Sequence, residues 1–163
     1  MAVSTTKATL SKSAFIIVLS VFFLFMFTGC ASKTPQTPDG FIQVMEDAGF
    51  EVKDVTEEAE DTDDLATSVL FAVGENYQIE FYELVDNETG AGVFYNNREI
   101  FDNEHSVKMM SLSLSSNNYD YYAFNADGQF YMIARIDNTV LYCVADKEYR
   151  SEIVDLVEML GYK

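Results

Sequence analysis

The stretch VKMMSLSLSSNNYDYYAFNADGQFYMIARIDNTVLYCVA, residues 107–145, decides the fold. Its apolar, β-branched and aromatic residues fall into four runs, 107–115, 119–124, 129–136 and 139–145. The separators are Asn117-Asn118, Asn125-Ala126-Asp127-Gly128 and Asp137-Asn138. Asn, Asp and Gly accept the backbone of tight reversals. Links this short join only antiparallel neighbours, because a parallel crossover takes a dozen residues or more. The stretch therefore predicts a four-stranded antiparallel meander. Along Tyr131-Met132-Ile133-Ala134-Arg135-Ile136 both alternating faces are largely apolar, so neither is expected to be plain solvated surface.

Working upstream, Tyr77, Ile79 and Phe81 share one face of a strand that ends near Val85. Val69, Phe71 and Val73 share a face of the strand before it, with Gly74-Glu75-Asn76 as the turn. Three helices are expected around these strands. Thr37-Pro38 reads as an N-cap with Pro in the first turn, Phe41, Val44, Met45 and Ala48 recur at helical spacing, and Gly49-Phe50 is the stop, followed by a short strand over 51–55. Asp86-Asn87-Glu88-Thr89 caps a second helix that runs to about Phe101, with Ala91, Phe94 and Phe101 along one stripe. Gly90 and Gly92 each cost such a helix about 1 kcal/mol relative to Ala, so either another backbone comes close or the helix starts late. The third helix, capped by Asp146, carries Tyr149, Ile153, Leu156, Val157 and Leu160 and stops at Gly161-Tyr162. The expected class is α+β, an antiparallel sheet with about three helices on one face, forming one domain over residues 40–163 that needs no disulfide.

Downstream of two lone charges, Lys7 and Lys12, residues 14–27 form an apolar block broken only by Ser20. Its 14 residues fall short of the roughly 20 needed to span a bilayer, which is the layout of a secretory signal. Phe27-Thr28-Gly29-Cys30 then resembles the lipobox of bacterial lipoprotein signals, with Phe27 where Leu is usual. The resemblance covers residues 1–30. It implies that residues 1–29 are removed and that Cys30 carries a diacylglyceryl group and becomes the acylated first residue. The protein would then sit on the extracytoplasmic side of the cell membrane. Residues 30–39 would be the lipidated cysteine and a polar, proline-bearing tether that holds the domain off the lipid. Residues 40–163 resemble no known family.

Ten Lys and Arg against 27 Asp and Glu give a net charge of −17, which excludes a nucleic-acid partner. The chain lacks G-x-S-x-G, C-x-x-C, H-E-x-x-H, P-loop and dinucleotide patterns, so no cofactor and no catalytic residue are assigned. A single His and a single unlipidated Cys make zinc unfavourable. Cys143 reads as a small buried hydrophobe and His105 as an exposed loop residue. Eight acids crowd residues 51–64, of which 56–64 reads as a solvated connection, and Asp61-Thr62-Asp63-Asp64 within it lacks the Gly and Glu of an EF-hand loop, since the matching positions are Ala66 and Ala72.

All ten tyrosines follow Cys30. Tyr119, Tyr121, Tyr131 and Tyr142 on the meander are a candidate binding face, although aromatics suit cross-strand packing equally well. The functional expectation is a non-catalytic binding module, anchored to the membrane by its lipid and meeting an envelope protein or small ligand. The alternatives are an extracytoplasmic hydrolase-like enzyme using His105 or carboxylates, and a structural envelope component.

Overall fold

The structure, a computed structural model, describes residues 32–59 and 65–163. Cys30 with the signal before it, and the acidic residues 61–64, lie outside the described residues. The chain forms α1 (Pro38–Asp47), β1 (Glu51–Asp54), β2 (Ala66–Val73), β3 (Gln78–Leu84), α2 (Asn87–Glu104), β4 (Met109–Ser116), β5 (Tyr119–Ala126), β6 (Gln129–Ile136), β7 (Thr139–Asp146) and α3 (Arg150–Met159). Short 3-10 turns lie at Thr56–Glu58 and Lys147–Tyr149. The protein is α+β, with one seven-stranded antiparallel sheet in the order β1-β2-β3-β7-β6-β5-β4.

The expected four-stranded meander is β4 to β7. Asp127 and Gly128, with φ of 51° and 87°, make the two-residue reversal between β5 and β6. The sheet is wider than the meander because β3 pairs with β7, from Glu80↔Tyr142 to Glu83↔Thr139, and so joins two consecutive meanders edge to edge. One outer edge, β1, has three charged residues in four, whereas the other, β4, is uncharged throughout.

The helices do not share one face. Phe41 and Met45 of α1, with Ile153, Leu156 and Val157 of α3, pack on Ile79, Phe81, Tyr121, Met132 and Leu141. Phe94 and Phe101 of α2 cover the opposite face, on Tyr122, Phe124, Ile133 and Val140. The one-face expectation is thus corrected, and the reason lies in the strands. β5 and β6 are apolar on both alternating sets, and two apolar faces need two covers. In β2 the face toward α1 is Leu70 and Ala72, offset by one from the Val69, Phe71 and Val73 set, because both sets are apolar there and alternation selects neither.

Local chemistry fixes the helix ends. Thr37 Oγ1 accepts from the Gly40 amide at 3.1 Å, and Asp86 Oδ1 from the Thr89 amide at 2.7 Å. α1 and α3 stop in the same way: Gly49 (φ 91°) lets the Phe50 amide reach the Met45 carbonyl, and Gly161 (φ 84°) lets the Tyr162 amide reach that of Val157. Asp146 does not cap α3; it leads into the 3-10 turn at Lys147–Tyr149, and its side chain makes no capping bond. Gly90 marks a close approach, since a Cβ there would lie 2.7 Å from the Asp137 carbonyl oxygen in the β6–β7 turn.

The segment before α1 is not a free spacer. The Lys33 amide and carbonyl bond the Asn118 side chain at 3.2 and 2.7 Å. Its Nζ donates to the carbonyls of Gly161 and Lys163 at 2.8 and 3.0 Å and sits 4.3 Å from the Tyr119 ring centroid. From Lys33 onward the expected tether lies against the domain.

Candidate functional site

The four candidate tyrosines fall on two faces. Tyr119 and Tyr121 are buried in the core beneath α1 and α3. Tyr131 and Tyr142 are half-buried on the α2 side, where Tyr131 stacks on Phe124 at 5.0 Å and Tyr142 on Phe101 at 5.7 Å. No single tyrosine face exists, and the packing alternative describes most of their contacts.

His105 is not an exposed loop residue. It follows the last turn of α2, its side chain is 11 % exposed, and its ring lies 4.4 Å from that of Tyr131. Its Nδ1 is 3.1 Å from Asp127 Oδ2, an arrangement that becomes an ion pair when the imidazole is protonated. Asp127 is largely exposed, so the pair closes the end of α2 over an aromatic cluster.

Two polar features on the α2 face are internally answered. Asp120 and Arg135, isolated charges in apolar strands, meet in register. Asp120 Oδ2 accepts from Arg135 Nε and Nη2 at 2.8 and 2.6 Å, and Oδ1 accepts from Ser115 Oγ. Beside α2, a cavity of about 240 Å³ is lined by Val93, Ile133, Val140, Glu80 and Tyr142. Its carboxylate is held by Gln78 and Tyr82, and burial with that hydrogen bond pushes the Tyr82 phenol far up.

The groove between β4, β5 and the start of α3 differs in kind. It encloses about 680 Å³ and is lined by Met110, Leu112, Tyr121, Asn125, Lys147, Glu148, Arg150, Ser151, Val154 and Lys163. Asn125, in β5, is 9 % exposed and its Oδ1 has no hydrogen-bond partner; the buried Nε of Arg150 has none either. One donor of each side chain rests on a poor acceptor: Asn125 Nδ2 and Arg150 Nη1 each lie 3.7 Å from Met110 Sδ. Met110 itself has a φ of 52°, rare for an unbranched side chain and costly by about 1–3 kcal/mol, within the irregular β4–β5 pairing between Met109 and Leu112. Arg150 is steadied by the Phe130 ring, 5.7 Å from its Cζ. Burial pushes the Tyr121 phenol up to about 12, and the nearby Arg150 partly opposes this.

Three of the eight Lys and Arg that follow Cys30 line this groove in a chain of net charge −17. The arrangement offers a guanidinium with unused donors, an amide carbonyl without a donor, and an apolar wall of Leu112 and Val154. It can bind a planar anion and an N–H together. In the sequence Asn125 reads as part of a turn, and Arg150 has no motif around it. The available signal was the basic set Lys147, Arg150 and Lys163 at the end of an acidic chain. Among the described residues, no three His, Cys, Asp or Glu side chains gather as metal ligands. No known protein family, curated protein or solved structure matches the chain.

Proposed function

We propose that the protein is a lipid-anchored, extracytoplasmic binding protein without catalytic chemistry. Cys30 is its point of attachment to the cell membrane, and the groove between β4, β5 and α3 is its recognition site. One observation carries the binding role: Asn125 Oδ1 and Arg150 Nε are both buried and both unanswered, in two residues that line the same concavity. A buried polar group left unpaired costs about 1–3 kcal/mol, a cost that a complementary ligand removes. The anchoring role is supported by the short apolar segment that ends in Phe27-Thr28-Gly29-Cys30.

Two measurements test this together. Intact mass of membrane-extracted protein is expected to show a chain beginning at an acylated Cys30, and an unmodified Cys30 or a different cut removes the anchoring role. Crosslinking capture from the native membrane is expected to yield a ligand or envelope partner that is lost with Arg150→Gln. Capture unaffected by that substitution moves recognition away from the groove. The hydrolase alternative draws on the His105–Asp127 pair. It requires a nucleophile at the other ring nitrogen, Nε2, and the ring contacts of this imidazole are with Tyr131 and Phe124, at 4.4 and 5.7 Å.

A further inference from the structure

We infer that the groove takes the free carboxyl end of a short peptide; the inference rests on the groove being the recognition site. The guanidinium of Arg150 has an unanswered Nε, and its Nη1 rests on a thioether sulfur. A carboxylate is a far stronger acceptor than a thioether, and the two-bond fork it makes uses Nη2 with either Nη1 or Nε, since Nη1 and Nε lie on opposite edges of the guanidinium. Asn125 supplies the complementary pair. Its Nδ2, resting on the same sulfur, can donate to that carboxylate, while its empty Oδ1 needs an N–H beside it.

An anion with an N–H one carbon away is the –NH–CHR–COO⁻ unit of a peptide's last residue. Sulfate fits less well, because it presents only acceptors to Asn125 Oδ1, and a phosphate answers that oxygen only through a proton it keeps. Leu112 and Val154 give the last side chain an apolar wall. Lys147 and Lys163, whose Nζ lies 3.8 Å from Glu158 Oε2, supply the local positive potential that an anion needs on so acidic a chain, and Glu148 is the lone acidic side chain among the lining residues. At about 680 Å³, open to solvent, the groove has room for more than one residue of ligand, which favours a peptide end over a free amino acid. Asn125 Oδ1 and Arg150 Nε are buried, so the peptide end reaches them by displacing the Met110 side chain, whose sulfur lies against Asn125 Nδ2 and Arg150 Nη1.

The test is fluorescence anisotropy on the detergent-extracted full chain with N-terminally labelled Ala-Ala-Leu as the free acid, as its carboxamide, and with the last peptide nitrogen methylated. The free acid is expected to bind at least about tenfold more tightly than either derivative. Arg150→Gln is expected to abolish the preference over the carboxamide, and Asn125→Ala the preference over the N-methyl peptide. Should either variant unfold, Lys163→Gln at an exposed position is expected to weaken the free acid and flatten its salt dependence while leaving the carboxamide unchanged. Equal binding of acid and carboxamide, an acid preference that survives Arg150→Gln, no saturable binding of the free acid, or equal competition by free leucine overturns the peptide-end assignment. If the peptides fail while Arg150→Gln still abolishes capture from the membrane, the ligand class falls and the groove remains the recognition site. If both fail, the recognition site itself falls.

Discussion

Replacing Asp120 by Ala removes the centre of the buried network beneath α2. Asp120 is 2 % exposed and Arg135 7 %, so water cannot take over the lost contacts. The substitution leaves Arg135 Nε and Nη2 without the carboxylate that accepts from both, and only the Nη1 bond to the Asp137 carbonyl, at 3.1 Å, survives. Ser115 Oγ loses its partner as well. Removing one member of a buried pair costs about 3–5 kcal/mol, because the other charge remains in a low-dielectric site. Equilibrium urea unfolding is therefore expected to show a large fall in midpoint at an unchanged slope, the slope being the check that the native surface is retained. Arg135→Met combined with Asp120→Leu removes both charges and refills the space. It is expected to recover most of the loss, since replacing a whole buried pair by apolar groups is often close to neutral. An Asp120→Ala midpoint that corresponds to less than about 1 kcal/mol would place the pair in solvent and refute this reasoning.

Gly90→Ala is expected to lower the thermal midpoint, because its Cβ meets the Asp137 carbonyl oxygen at 2.7 Å, whereas Gly92→Ala, with nothing within 4 Å, is expected to gain about 0.5–1 kcal/mol in the same helix. Equal effects at the two positions would remove the close approach as the cause. Burial pushes Tyr119, Tyr121 and Tyr162 from 10.0 up to about 12 and Cys143 from 9.0 up to about 12. The folded state holds these protons more tightly than the unfolded chain, so their contribution is complete below pH 9 and is lost as the pH rises toward 12. The urea midpoint is expected to fall between pH 9 and pH 11, and a flat profile contradicts the burial of these groups. The same displacement predicts that Cys143 resists a thiol reagent at pH 8 in the folded protein and reacts once the chain is unfolded in urea.

The meander, the caps at Thr37 and Asp86 and the glycine stops at Gly49 and Gly161 were legible because each is specified within a few neighbouring residues. Gly90 announced its close approach without naming the partner. The β3–β7 pairing was not legible, because it joins residues about sixty apart and no turn chemistry marks it. The placement of α2 was hidden for a different reason: β5 and β6 are apolar on both faces, so the pattern demanded a second cover without saying which helix supplied it. The split of the tyrosines could have been worked out. Centring the reversal on Asp127-Gly128 pairs Tyr131 with Phe124, which places it opposite the Tyr121 set. Beyond its basic set, the groove was hidden in the sequence, since Asn125 and Arg150 come from different elements and what distinguishes them is the absence of partners, a property of the assembled surface.

The uncharged β4 edge, with Met109 and Met110 59 % and 64 % exposed, has none of the lysines or prolines that usually keep open strands from pairing with other chains. What opposes such pairing is the chain's net charge of −17, a colloidal safeguard rather than a local one. Such a safeguard fails as a whole. Near the isoelectric point of about 4.1, or in salt concentrated enough to screen the surface, every molecule loses it together. Light scattering during acidification is then expected to rise while the sheet is still intact, and Leu114→Lys, a charge placed on the bare edge, is expected to delay that rise.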